Sequence, residues 1–424
     1  MKKLFFILCF LNGSVEAVLD TKKAHLSNEW YPSDPVKLHK KLDELDKEAV
    51  LQYGAQVQGV RVLIVPHAGL HYSGCLAAAC FRLLDPKKVR RIVLLAPSHH
   101  MPFKGVVLPS YSAYRLRSGV IPVDTKVVQE LKKVGVHFAM IESEKKDPHQ
   151  REHALEIELP LIQRYAPRAK IVPLIVGALD QEQMSFVAHN LKKYIDKNTV
   201  VVVSSDFTHY GPRFNNVSIK NNEYMPFHIR SLDNSILQPI FNRSLSLFLQ
   251  KITEPEITIC GKNPLSLLLS LFNQGICHEE VPYLIGYDTS YKKGLDRDHS
   301  VSYVGLVFGK KHQGSGPFLT AYEKRSLLEL ANQSVQGTVS NNNMLAQGLL
   351  IPIISPALQE PVDLFFAYKK KKDVQFITMK KNDVNKKMPL YQAVIEKARK
   401  VASFIDSKDL VFKIGVSGAE EYIA

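Results

Sequence analysis

The chain has 424 residues, of which 45% are hydrophobic and 23% are charged. At about 150 residues per domain this length suggests two to three domains, and the composition is that of an ordinary globular protein. It excludes a mainly disordered chain, a collagen-like repeat and a disulfide-dense scaffold. The formal net charge is +14, to which the run Lys369–Lys372 contributes. No nucleic-acid recognition motif accompanies the charge, so we expect a solvated basic surface and no nucleic-acid partner.

The first 17 residues have the order of a secretory signal peptide. Lys2 and Lys3 precede an apolar run over residues 4–11, and Val15-Glu16-Ala17 offers a small-x-small cleavage site. The run is much shorter than the roughly 20 residues of a membrane-spanning helix. We therefore predict a signal peptide over residues 1–17 and a soluble, exported protein, periplasmic or secreted. The alternative is an ordinary N-terminal helix or strand, in which case the protein would be cytoplasmic.

Helical patterns alternate with apolar, β-branched runs along the rest of the chain. The predicted helices are Val36–Tyr53, Ser73–Leu84, Asp124–Val134, His153–Tyr165 and Gln181–Tyr194. The predicted strands are Arg61–Val65, Ile92–Ala96, Ile171–Val176, Val200–Val203, Val281–Ile285 and Val301–Phe308. This alternation is typical of an α/β fold, a mostly parallel sheet with helices on both faces.

A polar, glycine-containing segment at residues 310–317 is typical of a linker. It would separate a domain over residues 18–311 from a smaller α+β domain over residues 318–424. Four cysteines remain after signal removal, too few for a disulfide-stapled fold. Two of them, Cys75 and Cys80, lie in an alanine-rich helical stretch and are expected to be small core residues.

Polar side chains suited to binding a metal or moving a proton follow three of the predicted strands. His67 follows the first strand, His99 and His100 follow the second, and Asp206 and His209 follow the fourth. In open α/β sheets, ligands bind in the crevice beyond the carboxyl ends of the strands. If the three strand ends converge, these residues share one pocket.

A metal ion would make use of such a cluster, because imidazole and carboxylate ligands suit zinc, copper, iron or nickel. Cys260, between an apolar run and Gly261, could face the same cleft, where its soft thiolate would favour copper, zinc or iron. A buried inert thiol is the alternative. Glu152, His153 and Glu156 could orient ligands or contact substrate, or could simply mark a helix start enriched in acids.

Seven short motifs, in this order, resemble the signature of the Memo family. They are Asn28-Glu29-Trp30-Tyr31-Pro32, Pro66-His67-Ala68-Gly69, Pro97-Ser98-His99-His100, Glu152-His153-Ala154-Leu155-Glu156, Ser204-Ser205-Asp206-Phe207-Thr208-His209, Ile259-Cys260-Gly261 and Ser300-Val301-Ser302-Tyr303. The resemblance covers residues 26–308. That family is similar in fold to the extradiol (class III) ring-cleaving dioxygenases, which implies a metal pocket at the strand ends.

The resemblance implies metal ligands at His67, His99 and Cys260, with Asp206 and His209 as catalytic residues in the pocket. The dioxygenases have a carboxylate where this chain has the cysteine, which argues against ring cleavage and favours copper or iron over zinc. Family members are associated with metal-dependent redox activity, so a small-molecule substrate or dioxygen is the expected partner. Further residues are expected to line or support the pocket: Trp30, Tyr31, His71, His100, His153 and Glu156.

Two stretches after the linker resemble parts of an AMMECR1-type domain, one over residues 319–331 and one over residues 389–406. Such a domain is often fused to Memo proteins or encoded beside them, together with a radical-SAM enzyme. The Arg-Gly-Cys-Ile-Gly centre of that family is absent here, so the resemblance implies a partial, divergent domain and transfers no activity. A radical-SAM partner would work in a reducing cytoplasm, which conflicts with the predicted export.

Three functions are compatible with the sequence. The first is a redox enzyme whose metal acts together with Asp206 and His209 as proton-transfer residues. The second is a non-catalytic protein that sequesters copper at the same site, and the third is a peptide-binding module on the same fold. An enzyme needs an open coordination position, whereas a sequestering site can be closed.

Overall fold

A computed structural model describes residues 21–26, 28–141, 147–216, 225–293, 298–313, 319–327 and 329–330, with short pieces at 356, 364–370, 373–379 and 414–416. The predicted signal peptide lies outside the described residues, as does most of the predicted second domain. Within the described residues, no helix has both the length and the apolar character that crossing a membrane requires.

The strands and helices of the described residues are numbered from the N-terminus. The strands are β1 (Thr21–Lys23), β2 (Val62–Val65), β3 (Arg91–Pro97), β4 (Val106–Leu108), β5 (Ala113–Leu116), β6 (Gly119–Pro122), β7 (Phe138–Met140), β8 (Lys170–Val176), β9 (Thr199–Ser204), β10 (His209–Tyr210), β11 (Glu280–Thr289), β12 (Ser300–Lys310), β13 (Leu364–Lys370), β14 (Asp373–Met379) and β15 (Ile414–Val416). The helices are α1 (Pro35–Tyr53), α2 (Gly74–Phe81), α3 (Thr125–Val134), α4 (His153–Glu156), α5 (Leu159–Tyr165), α6 (Gln181–Lys192), α7 (Met225–Phe241), α8 (Leu245–Lys251) and α9 (Lys262–Asn273).

The predicted α/β class is confirmed. A nine-stranded sheet has the order β10-β12-β2-β9-β3-β8-β4-β7, with β11 paired to β12. Its middle strands β2, β9, β3 and β8 are parallel, whereas β12 and β4 join them antiparallel. The sheet is therefore parallel in its middle, as predicted, and antiparallel where the flanking strands β12 and β4 join it. One reason is that residues 290–299, between β11 and β12, are too few for the crossover that a parallel pair requires.

Each predicted strand and helix has a counterpart, with one helix divided. The predicted helix His153–Tyr165 is two helices, α4 and α5. Pro160 lies in the first turn of α5, where its missing N–H is tolerated, whereas in the interior of one continuous helix it would break the hydrogen-bond pattern. The sequence pattern does not predict β4 or β7, since three residues are too few to show a period.

Helices cover both faces of the large sheet, as predicted. On one face α2 packs on β12 so closely that a Cβ at Gly305 would lie 2.7 Å from Leu76 and 2.8 Å from the sulfur of Cys80. On the other face Phe272 of α9 contacts Phe308 of β12, with ring centroids 4.8 Å apart. Positions 305 and 308 point to opposite faces because side chains alternate along a strand. Cys80 is buried and free, as expected of a core residue.

A helix over residues 321–327, after the predicted linker, packs against the large sheet. The Thr320 hydroxyl donates to the carbonyl of Leu284 in β11 (2.8 Å), and Tyr322 belongs to the same hydrophobic core. Strands β14, β13 and β15 form a separate antiparallel sheet in that order. The start of the predicted second domain thus contributes to the core of the first.

Candidate metal centre

The ends of β2, β3 and β9 bring their histidines and Asp206 to one edge of the sheet. These strands are parallel neighbours, so their carboxyl ends meet there. The rings of His67 and His99 lie 5.2 Å apart between centroids. His67, His99 and His153 each offer a ligand atom, and these atoms lie within 4.8 Å of one another. The predicted convergence is confirmed for His67 and His99, and His153, from the helix α4, lies beside them.

The tautomer of His67 is set by Ser204, the last residue of β9. His67 is 2% exposed, and its Nδ1 lies 2.8 Å from the Ser204 hydroxyl. That hydroxyl lies 2.7 Å from the carbonyl oxygen of Ala154, which can only accept a hydrogen bond. The single Ser204 proton is directed to Ala154 or to the carboxyl of Glu158 at 3.1 Å, so the Ser204 oxygen accepts from Nδ1 of His67. The lone pair of His67 is left on Nε2, the nitrogen that faces Cys260.

Glu152 contacts Nδ1 of His99, as Ser204 contacts Nδ1 of His67. One carboxylate oxygen of Glu152 lies 2.7 Å from Nδ1 of His99, and the other accepts the backbone N–H of the same residue (2.8 Å). A carboxylate on one ring nitrogen commonly orients the other nitrogen toward a metal. Burial raises the pKa of Glu152, but the hydrogen bonds and charge of His99 outweigh it and hold that pKa below its usual value. Glu152 also caps α4 through the N–H of Ala154, as expected of a helix start enriched in acids.

Cys260 contacts the cluster through His67. Its Sγ lies 3.1 Å from Nε2 of His67 and accepts the backbone N–H of Asp206 at 3.1 Å. A Cβ at Gly261 would lie 2.2 Å from the Ser205 hydroxyl, so a glycine there allows this close approach. Burial and the charge of Asp206 raise the pKa of the Cys260 thiol well above its usual value. A thiolate here needs a compensating positive charge, which a metal ion provides.

Asp206 and His209 lie near His67. Asp206 accepts the backbone N–H of His67 (2.8 Å). Burial raises its pKa to about 7, despite that hydrogen bond. His209 lies with Nδ1 2.8 Å from the carbonyl of Phe207, so Nδ1 carries its proton and Nε2 is an acceptor. Burial lowers the pKa of His209, which favours the neutral ring.

The other predicted pocket residues separate into two groups. The ring of His153 stacks near Trp30 (4.7 Å) and lies 6.1 Å from that of His100. His153 was expected only to line the pocket, yet its ring is a third imidazole donor in the cluster. His71, by contrast, is exposed, and the ring contact described for it is with Tyr72.

Tyr31 and Glu156 support the N-terminal segment instead of facing the metal cluster. The hydroxyl of Tyr31 donates to Glu156 at 2.9 Å. The same carboxylate accepts the backbone N–H groups of His25 and Leu26 and pairs with Lys22 at 3.3 Å. Glu156 therefore anchors the segment that carries Trp30. Ser204 is part of the fifth motif, but sequence analysis gives it no role. Its position at the end of β9 is the signal that could have indicated its contact with His67.

Imidazole and carboxylate groups at the ends of parallel strands, with a thiol from the loop before α9, define an α/β protein with a candidate metal site. The model of the Memo-like protein family matches residues 22–307. The chain therefore belongs to the Memo-like family, which confirms the resemblance of its seven motifs.

Three relatives illustrate the similarity. The protein memo-1 homolog of Caenorhabditis elegans is 29% identical over 307 residues, 70% of this chain and 85% of that protein. Protein MEMO1 of Xenopus laevis is 31% identical over 258 residues, 59% of this chain and 83% of that protein. Protein MEMO1 of Homo sapiens is 29% identical over 262 residues, 60% of this chain and 84% of that protein.

Proposed function

We propose that this chain is a copper- or iron-dependent oxidoreductase that acts on a small oxidisable molecule or on dioxygen. The observation that carries the proposal is the contact between Sγ of Cys260 and Nε2 of His67, 3.1 Å, within the histidine cluster. Two imidazoles and one thiolate form a soft donor set, which suits copper or iron and suits magnesium or calcium poorly. A redox-active ion held there would supply electron transfer to or from the substrate.

His67, His99 and Cys260 would hold the ion, and the surrounding residues prepare them for it. Ser204 and Glu152 engage the Nδ1 atoms of the two histidines, which leaves their Nε2 atoms as the donors that an ion would use. Asp206 would hold or release a proton near neutral pH at its carboxylate. His99 is exposed whereas His67 is buried, so substrate would approach from the side of His99.

The position of His153 favours a second candidate, a metal-sequestering protein. Together with His67, His99 and Cys260 it offers a fourth donor. Four protein donors can close a tetrahedral site, as structural zinc sites show. A closed site would store copper and prevent its redox cycling instead of using it. The two candidates differ in whether His153 occupies the position that substrate would need.

Metal loading combined with oxygen consumption separates these functions. The purified full chain is loaded with copper, iron or zinc, analysed for bound metal, and assayed for oxygen uptake with a panel of catechols and thiols. We expect one bound copper or iron and measurable oxygen uptake, both lost in His99→Ala and both retained in the control His71→Ala. Tight binding without oxygen uptake would favour sequestration. Oxygen uptake retained in His99→Ala would overturn the ligand assignment, and a metal-free chain that binds peptides would favour a binding module.

Export and the second domain are also proposals. The pattern of residues 1–17 supports cleavage after Ala17, and N-terminal sequencing of secreted or periplasmic protein should then begin at Val18. Residues 318–424 are proposed as a partial, divergent AMMECR1-like domain on the two matching stretches. An exported protein would not meet a radical-SAM partner. Recovery of the uncleaved chain in the cytoplasm would overturn export and remove this objection to the partnership.

A further inference from the structure

A small sheet of β1, β5 and β6 places basic side chains together on its outer face. Strands β1 and β5 are parallel, and Lys23 lies directly opposite Arg115 in their register. Lys22 and Tyr114, the neighbouring pair, are 4% and 1% exposed and point inward. Because side chains alternate along a strand, Lys23 and Arg115 share the outward face.

Lys23 and Arg115 carry like charges on neighbouring strands and therefore repel each other. Among the described residues, no carboxylate lies within 4.0 Å of Lys23, Arg115 or Arg117 to offset this repulsion. The side-chain hydrogen bond of Arg115 is a long one, 3.4 Å, to the hydroxyl of Thr21. An anion bound between these side chains would remove the repulsion.

The basic face borders a cavity of about 520 Å³, within the range of roughly 300–1,000 Å³ for small-molecule sites. Its polar wall contains Lys23, His25, Arg115 and Arg117. Its apolar wall contains Leu26, Tyr31, Leu38 and Leu116. Among the side chains that line the cavity none is acidic.

One wall of the cavity is held in place by Glu156. This carboxylate accepts the backbone N–H of His25 and of Leu26 at 2.9–3.0 Å and the Tyr31 hydroxyl at 2.9 Å. Three residues of the cavity wall are thus fixed by one buried acid before any ligand arrives. A preformed wall lowers the entropic cost of binding.

We propose that this cavity binds a small organic phosphate monoester. The guanidinium groups of Arg115 and Arg117, with Lys23, would hold the phosphate, since guanidinium groups match phosphate oxygens in paired hydrogen bonds. The apolar body of the ligand would lie on Leu26 and Leu116. A dianion suits three cationic groups better than a monocarboxylate does. The cavity is distinct from the candidate metal centre, none of whose ligands lines it.

The test is calorimetric titration of the full chain, stripped of metal by a chelator, with three probes. Phenyl phosphate should bind, inorganic phosphate about tenfold more weakly for lack of an apolar body, and benzoate more weakly for lack of the second charge. The variant Arg115→Ala/Arg117→Ala should lose at least about tenfold in affinity for phenyl phosphate. Lys23→Ala removes a single charge and should lower the affinity for phenyl phosphate by about threefold.

Two controls make the outcome decisive. Arg168→Ala/Lys197→Ala removes the same charge from exposed positions outside the cavity and should leave binding unchanged. His99→Ala alters the metal centre and should also leave binding unchanged. Absence of phenyl phosphate binding, equal binding by the double arginine variant, or loss of binding in His99→Ala would each overturn the proposal. Equal affinity for inorganic and phenyl phosphate would overturn the organic ligand.

Discussion

Two regions meet at the short helix α4, and each depends on one buried glutamate. Glu152, at its N-terminus, faces the histidine cluster and bonds both the ring and the backbone of His99. Glu156, one helical turn later, faces the N-terminal segment and bonds His25, Leu26 and Tyr31. Both are 1% exposed. Burial of an acid therefore does not distinguish a ligand-orienting role from a structural one, whereas the identity of its partners does.

The largest expected effect is on the structural side of this comparison. Glu156→Gln removes the charge that pairs with buried Lys22, and an unpaired buried charge costs about 3–5 kcal/mol. We expect urea unfolding at pH 7 to show that the free energy of unfolding falls by about this amount. The control is Glu182→Gln at an exposed position on α6, and its free energy of unfolding should stay near that of the wild type. An unchanged midpoint for Glu156→Gln would mean that this acid does not anchor the segment.

The contribution of Glu156 should also depend on pH. Burial raises its pKa, but the hydrogen bonds of His25 and Leu26 and the charge of Lys22 outweigh it and lower the pKa from 4.5 to about 2. An acid whose pKa is lower in the folded state stabilises that state at pH values above its unfolded-state pKa. This stabilisation is lost as the pH falls toward the folded-state pKa. The difference in unfolding free energy between wild type and Glu156→Gln should be constant above pH 4.5 and shrink toward pH 2. A difference that already shrinks between pH 7 and pH 6 would contradict this.

On the metal side, Glu152→Gln should weaken metal binding about 10- to 100-fold, the usual cost of removing a partner that orients a ligand. Competition with a chromophoric chelator measures this affinity. Glu156→Gln is the matched control, and at pH 7 below its denaturation temperature it should keep the wild-type affinity. If the two variants weaken metal binding equally, the division of roles between the two acids is wrong.

The smallest effect is expected at Ser204. Ser204→Ala leaves Nδ1 of His67 without its partner, and loss of one buried hydrogen bond costs about 1–3 kcal/mol. Metal affinity should fall by about tenfold. Ser235→Ala is the control, since its hydroxyl bonds only the carbonyl of Leu232 within α7 among the contacts described. An unchanged affinity in Ser204→Ala would show that the His67 tautomer is held by other groups.

The sequence predicts most of the candidate metal site because parallel strands end at one edge of the sheet. That rule alone brings His67, His99 and Asp206 together from positions far apart in the chain. It does not reach His71, which follows His67 closely yet turns toward solvent beside Tyr72. A short distance along the chain from a strand end is therefore a weak predictor that a residue faces the site once the backbone turns.

The partners of Glu156 and of Lys23 depend on tertiary pairing. Helical spacing shows which helix face Glu156 occupies, but its donors lie more than 120 residues earlier in the chain. The opposition of Lys23 and Arg115 likewise depends on the register of two strands that no turn connects. Local patterns do not specify such long-range register.

The most direct test of the central claim is X-ray absorption on the full chain loaded with copper or iron. The account predicts nitrogen scatterers from imidazole and one sulfur scatterer, which disappears in Cys260→Ser while His71→Ala keeps it. A spectrum with nitrogen and oxygen scatterers alone, identical in wild type and Cys260→Ser, would show that the thiol does not share the ion with the histidines.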